Sequence, residues 1–126
     1  MTRVLLIGYA PESVDFSDPA LPPGLDAGTI AAAIEVGLAR IRERGWDAEF
    51  CAVRPDDSAA PEVARLLSAT HYDCIVIGGG IRMGSRSIPA FEQIIDAVRK
   101  TAPQTPIAFN SRPDDSADAA ARWLPA

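Results

Sequence analysis

Short apolar runs alternate along this chain with segments whose apolar residues recur at helical spacing, and this alternation restricts the fold more than any other feature. The apolar runs lie at 3–9, 47–53, 72–78 and 105–109. The helical segments lie at about 26–44, 59–69, 87–98 and 115–124. Strands that alternate with helices in this way form a parallel sheet, because each return of the chain needs a crossover. We therefore predict one α/β domain spanning residues 1–126.

The composition of the runs predicts the position of each strand in the sheet. The first and third runs are almost entirely apolar, as in strands that are buried on both faces. The second run contains Glu49 and the fourth has Pro106 near its start, and both features are typical of edge strands. With right-handed crossovers, these preferences predict a three-layer domain with a four-stranded parallel sheet in the order 2-1-3-4.

Residues at the predicted helix ends fit this assignment. Asp26 precedes the first helix as a candidate N-cap, and Gly45 follows it where a C-terminal glycine is favoured. Pro61 and Pro89 both fall in predicted first turns, where proline is tolerated because its missing N–H has no helical partner. Asp114 or Asp115 is placed to cap the last helix, a more natural role for them than that of catalytic acids.

Composition and charge exclude several classes of function. The net charge of −5 argues against general affinity for nucleic acid, which depends on clustered basic residues. No apolar run is long enough to span a membrane, and the N-terminal run reads as a strand, not a signal peptide, so we expect a cytoplasmic protein. One histidine and two separated cysteines form neither a standard zinc site nor a disulfide framework, and we expect no metal.

Three loops are predicted to meet beyond the carboxyl ends of the strands, where ligands bind in sheets of this topology. They follow the first, third and fourth strands. The candidate ligand-binding residues in these loops are Gly8, Tyr9, Glu12, Gly78, Gly79, Gly80, Arg82, Ser85, Asn110, Ser111 and Arg112.

The loop after the third strand carries the clearest chemical signal. Three consecutive glycines, 78–80, have no Cβ and can adopt positive φ, so their amides could line an anion-binding nest ahead of a helix. Arg82 and Arg86 add positive charge, and Ser85 and Ser87 add hydroxyl donors. The combination suits a phosphate or carboxylate. The alternative is that the glycines permit a tight turn and the arginines are solvated, since no known phosphate-loop motif matches.

The other two loops leave open whether the protein is an enzyme. Arg112 could make a bidentate contact with an oxyanion, Glu12 could act as a base or as a simple charge, and Tyr9 could contact a ligand or close the core. A catalytic triad cannot be built, because His71 lies at the amino end of its predicted strand, away from this edge. A catalytic reading would depend on Glu12, Tyr9, Ser85 or Asn110, none of which has a diagnostic context.

The segment Tyr72-Asp-Cys-Ile-Val-Ile-Gly, followed by Met83-Gly-Ser and a helix, resembles the third-strand region of flavodoxin-like proteins. The resemblance covers about thirty residues and implies the flavodoxin-like arrangement without its fifth strand. It also implies a flavin beside this loop, but the aromatic residue that such proteins use is replaced by Gly79-Gly-Ile-Arg82. The Ser/Thr-rich loop for the FMN phosphate is replaced by Tyr9-Ala-Pro-Glu-Ser-Val-Asp. The chain thus resembles an uncharacterised branch that lacks the FMN phosphate loop.

Three functions are compatible with these features. The first is binding of a small anionic ligand, with or without catalysis, at the carboxyl end of the sheet. The second is a non-enzymatic interaction module that forms a homo-oligomer, with a dimer favoured, through exposed edge strands. The third is a flavin- or nucleotide-binding protein. The proline-rich segment 10–25 is either a lid or an arm that contacts a partner, and the sequence identifies no cofactor.

Overall fold

The structure is a computed structural model that describes residues 1–84 and 87–125. These residues form four strands, β1 (Arg3–Tyr9), β2 (Asp47–Val53), β3 (Cys74–Ile77) and β4 (Ile107–Phe109). They also form five α-helices, α1 (Ala27–Glu43), α2 (Ala59–Ala69), α3 (Gly79–Met83), α4 (Ile88–Thr101) and α5 (Ser116–Ala121). Two short 3₁₀ turns lie at Pro11–Ser13 and Pro113–Asp115.

The four strands are parallel and lie in the order β2-β1-β3-β4, which confirms the predicted sheet. β1 pairs with β2 from Arg3–Asp47 to Tyr9–Val53, and with β3 from Val4–Cys74 to Ile7–Ile77. Every residue of β3 is buried, as its apolar sequence predicted. The chain therefore reverses its winding between β1 and β3, at the centre of the sheet.

Helices cover both faces of the sheet and make three layers. Alternate residues of the central strands point to opposite faces, so that Leu5 and Ile7 pack in one core and Val4 and Leu6 in the other. The first core is completed by α2 and α4, and the second by α1 and α5. None of the described helices combines the length and the apolar character that a membrane span requires.

The predicted ends of α1 are confirmed. Asp26 is the N-cap, and its Oδ1 accepts a hydrogen bond from the Thr29 N–H at 2.7 Å. This bond holds the pKa of the Asp26 carboxyl below its usual value. At the other end Gly45 has φ +84°, the left-handed conformation in which a helix commonly ends.

The third strand and its helix differ from the prediction. β3 is shorter than the predicted run, which began at Tyr72. In the structure Tyr72 lies before the strand, its ring is buried, and its hydroxyl donates a hydrogen bond to Glu49 at 2.6 Å. Burial and this carboxylate raise the pKa of Tyr72 to about 12. The glycines are not a loop: helix α3 begins at Gly79, and a second helix, α4, follows it.

Gly37 marks a backbone-to-backbone contact that holds α1 against the turn before α5. It is buried on the inner face of α1, and a Cβ built there would overlap the carbonyl oxygen of Pro113 and lie 3.0 Å from its carbonyl carbon. Arg40 Nη1 reinforces the contact by donating to the Asp114 carbonyl at 2.9 Å. The helix can approach the turn this closely only because position 37 has no side chain.

On each edge strand, one main-chain carbonyl accepts a hydrogen bond from an arginine side chain. The register places Ala48 of β2 and Phe109 of β4 with their peptide groups facing away from the sheet. Arg42 Nη2 donates to the Ala48 carbonyl at 3.1 Å, and Arg122 Nη2 donates to the Phe109 carbonyl at 2.7 Å. These bonds reduce the number of open groups that a further strand could pair with.

Candidate functional site

The loops after β1, β3 and β4 meet at the carboxyl edge of the sheet. The Gly78 N–H donates to the Ile7 carbonyl at 2.7 Å, which ties the end of β3 to the end of β1. The Asn110 N–H lies 3.5 Å from the Ile77 carbonyl, which ties the start of the third loop to β3. Gly8 belongs to β1 itself, and a Cβ at this position would lie 3.1 Å from the Phe50 ring.

Gly78 and Gly79 are packing residues, and none of the three glycines has the positive φ that a nest requires. Gly78 is extended, with φ −66° and ψ 146°, and the positive-φ glycines among the described residues are Gly24 and Gly45. A Cβ on Gly78 would lie 3.0 Å from the Ile7 carbonyl oxygen, and one on Gly79 would lie 3.1 Å from the Ser111 carbonyl oxygen. Gly78 and Gly79 therefore permit close approach of the end of β3 to β1 and of the start of α3 to the loop after β4. Gly80 is exposed.

Asn110 is the structural junction of this edge. It is only 2% exposed, its Oδ1 accepts from the Gly79 N–H at 2.8 Å, and its Nδ2 donates to Ser116 Oγ at 2.9 Å. Its main-chain carbonyl accepts a hydrogen bond from Arg82 Nη2. Because its side-chain amide is already engaged on both sides, Asn110 positions other groups and has little capacity left for a ligand.

Arg82 is the one predicted site residue whose charge is not balanced by a neighbour in the described chain. Its guanidinium is held by the Asn110 carbonyl and lies 5.5 Å, measured from Cζ, from the centre of the Phe109 ring. No carboxylate in residues 1–84 and 87–125 forms an ion pair with it, and its buried Nε has no hydrogen-bond partner there. Arg82 is therefore a partly buried cation with a donor still to be satisfied.

The donors of the third loop are held within that loop. The Ser111 N–H donates to Asp115 Oδ1 at 3.0 Å, and Arg112 Nε donates to Asp114 Oδ1 at 2.9 Å. Arg112 holds the pKa of the Asp114 carboxyl below its usual value. Asp114 and Asp115 thus stabilise the loop, in agreement with the non-catalytic role predicted for them, and one donor of Arg112 and the main-chain N–H of Ser111 are engaged within it.

Tyr9 and Glu12, at the start of the first loop, have different surroundings. Tyr9 is buried, and its hydroxyl donates to Ser87 Oγ at 3.2 Å, while Ser87 Oγ donates to the Gly80 carbonyl at the same distance. Tyr9 therefore closes the core and braces α3. Glu12 is exposed and lies 3.6 Å from Arg54, at the end of β2. Ser85 and Arg86, which were also predicted to contribute, lie outside the described residues.

The proline-rich segment 10–25 lies over the carboxyl edge. Val14 packs against the core between the sheet and helices α2 and α4. Further along, Asp18 reaches the loop after α3, where a Cβ on Gly84 would lie 3.6 Å from its Oδ2. The segment therefore reaches the loop after α3 and brings the carboxylate of Asp18 close to it.

The surface depressions, the histidine and the two cysteines lie away from this edge or are unreactive. Two shallow depressions of about 380 and 390 Å³ lie at the amino end of β3, beside His71, and between α1 and α5. His71 pairs with Asp73 at 3.4 Å, at the end of the sheet predicted for it. Burial raises the pKa of both Cys51 and Cys74 to about 11, so their thiols stay protonated. The described residues contain no cluster that could hold a metal.

Two side chains of this edge were not anticipated from the sequence. Phe109 lies 5.5 Å from the Arg82 guanidinium, Met83 follows Arg82 in α3, and the two are 39% and 51% exposed. In the sequence Phe109 reads as an apolar strand residue and Met83 as part of a loop. Phe109 is exposed because β4 is an edge strand of the described sheet, and Met83 is exposed at the end of helix α3, which the sequence did not predict.

The chain matches no protein-family model and no curated protein sequence. The sheet itself is compatible with a flavodoxin-like arrangement, since four parallel strands lie in the order 2-1-3-4 between two layers of helices. The fold class is thus shown by the chain's own topology: this is an α/β protein with a four-stranded parallel sheet.

Proposed function

We propose that the protein binds a small ligand that carries a phosphate or carboxylate group, with the guanidinium of Arg82 as the anchor for that group. The observation that carries the proposal is that Arg82, at the carboxyl edge of the sheet, forms no ion pair with a described residue and has a buried Nε without a hydrogen-bond partner. Ligands bind at this position in parallel α/β sheets, where the strand order reverses. The anchor and the topology therefore point to the same place.

Electrostatics favour an oxyanion as the occupant. A partly buried cation without a counter-ion is costly, because desolvation is not repaid by an attractive partner. The guanidinium fork matches the geometry of carboxylates and phosphates and can bind either with two parallel hydrogen bonds. One edge of the fork is already fixed by the Asn110 carbonyl, and the Phe109 ring lies beside it. The group is thus positioned before a ligand arrives, which lowers the entropic cost of binding.

The proposal is restricted to binding. Glu12, the acidic residue considered as a general base, forms an ion pair with Arg54, with 3.6 Å between the charged atoms. Asn110, Ser111 and Arg112 support the anchor and its loop through internal hydrogen bonds. Arg112 is already paired with Asp114, so its charge is partly neutralised by that carboxylate. The ligand-binding role therefore centres on Arg82, within the larger set of residues that the sequence indicates.

A thermal-shift panel tests the proposal. Phosphate, small carboxylates, nucleotides and FMN should be compared, and at about ten times its Kd a true ligand should raise the Tm by about 5 °C. Arg82→Ala should abolish the shift. Arg99→Ala is the matched control, because Arg99 is an exposed arginine on α4 that pairs with Asp96 at 2.7 Å.

The panel also separates the alternatives. A shift produced by FMN or nucleotides alone would favour the flavin- or nucleotide-binding protein. If no anion shifts the Tm and light scattering shows a tight dimer, the homo-oligomeric interaction module replaces the present proposal. Equal shifts in the wild type and in Arg82→Ala would place the anion at another site and would contradict the role of Arg82.

A further inference from the structure

We infer that the anionic group of the ligand is attached to a flat apolar body, such as an aromatic ring, which rests on Phe109 and Met83. The inference rests on the proposed function, because it names the class of ligand that Arg82 would anchor. It adds a second, apolar half to the site.

The exposed part of Phe109 is the first observation. Phe109 is the last residue of β4, and its ring contacts the Phe91 ring edge-on, with 6.1 Å between the ring centres. The Arg82 guanidinium lies 5.5 Å from the same ring. Even with these two neighbours, 39% of Phe109 is exposed to solvent. An apolar surface is thus presented directly beside the cation.

Met83, the residue after Arg82 in α3, is the second exposed apolar side chain of this edge. It is 51% exposed, and its methyl group folds back over α3, since a Cβ on Gly79 would lie 2.6 Å from Met83 Cε. The absence of a side chain at Gly79 leaves room for this conformation. Because methionine is unbranched and polarisable, it can adjust to a ring.

The shape of this patch favours a small amphipathic anion over the other occupants. Free phosphate would satisfy Arg82 and leave both apolar side chains in water. A stable protein partner would cover about 800 Å² of this chain, whereas the exposed apolar surface identified beside Arg82 consists of two side chains. A ring that carries one oxyanion matches both the charge and the apolar surface, and this combination is typical of small-molecule sites.

Calorimetric titrations with two matched pairs of probes test the inference. Phenyl phosphate should bind about tenfold more tightly than inorganic phosphate, and benzoate about tenfold more tightly than acetate, because the ring buries additional apolar area. In Met83→Ser and in Phe109→Leu, the ratio of the Kd values within each pair of probes should fall towards one. Val36→Ala is the control, since Val36 is 42% exposed on α1, and it should keep the full ratio.

The result separates this inference from the proposed function. If phosphate and phenyl phosphate bind equally well and both depend on Arg82, the proposed contact of a ring with Phe109 and Met83 is wrong. The role of Arg82 as the anchor is then retained. If neither probe binds, the anchor itself is wrong. A ring preference that persists in both Met83→Ser and Phe109→Leu would place the ring elsewhere and would also overturn the inference. Circular dichroism checks the fold of each variant, and Met83→Ser decides alone if Phe109→Leu is unfolded.

Discussion

Replacing Gly37 by alanine is expected to destabilise the protein by about 3 kcal/mol, although alanine is the better helix former. The added methyl group would overlap the Pro113 carbonyl oxygen, which belongs to the backbone of a tight turn and cannot rotate away. Relief requires that α1 and the turn move apart. That movement would also loosen the hydrogen bond from Arg40 to the Asp114 carbonyl.

Gly28→Ala is the matched control for this substitution. Gly28 lies in the first turn of the same helix, and a Cβ there would meet Asp26 Oδ1 at an ordinary 3.5 Å. We expect this change to be neutral or to stabilise the protein by up to about 1 kcal/mol. Urea unfolding of both variants measures the difference. Equal midpoints for Gly37→Ala and Gly28→Ala would show that α1 does not approach the turn as closely as described.

Truncation of Asn110 to alanine is the second large effect, with an expected loss of about 3 kcal/mol. Two buried hydrogen bonds disappear, and the Gly79 N–H loses its partner, whereas the Ser116 hydroxyl loses the bond that it accepts and keeps the one that it donates to the Pro113 carbonyl. The loss is larger than for an ordinary hydrogen bond, because an unpaired buried donor retains its full desolvation cost. Arg82 would also lose the fixed position of the carbonyl that holds it.

The effect of Asn110→Ala is measured by urea unfolding against Gln104→Ala. Gln104 also has an amide side chain, but it is exposed in the turn before β4, so its truncation should change the unfolding free energy by less than about 0.5 kcal/mol. If Asn110→Ala is as mild as this control, Asn110 is not the junction of the three loops. Asn110→Ala should also weaken any binding that depends on Arg82.

The strand order could be predicted because burial leaves a clear mark on sequence. β1 and β3 are apolar at nearly every position, as a strand covered on both faces must be, whereas Glu49 and Pro106 are tolerated only where one side of a strand is open. The caps of α1 were predictable for a similar reason, since Asp26 and Gly45 act through their own backbone neighbours.

The partners within the candidate site could not be predicted, because they are set by tertiary distances. The topology placed Arg82 and Asn110 at the same edge, but no pattern indicates that the Asn110 carbonyl holds Arg82 or that its side chain caps Gly79. Once Asn110 supplies that cap, the glycines can begin a helix and are not needed as a nest. The glycines therefore have a different role from the predicted one, whereas Arg82 lies at the edge of the sheet where the sequence predicted it.

The most direct test of Arg82 as an oxyanion anchor is an NMR titration that follows the Nε–H resonances of the arginines. Arg82→Lys identifies the Arg82 resonance by its loss, and Arg99 supplies an exposed arginine as the internal reference. Titration with phenyl phosphate should shift the Arg82 Nε–H resonance in a saturable manner and leave that of Arg99 in place. An Arg82 resonance that stays unmoved by phenyl phosphate, phosphate and benzoate at millimolar concentration would contradict the assignment of Arg82 as the anchor.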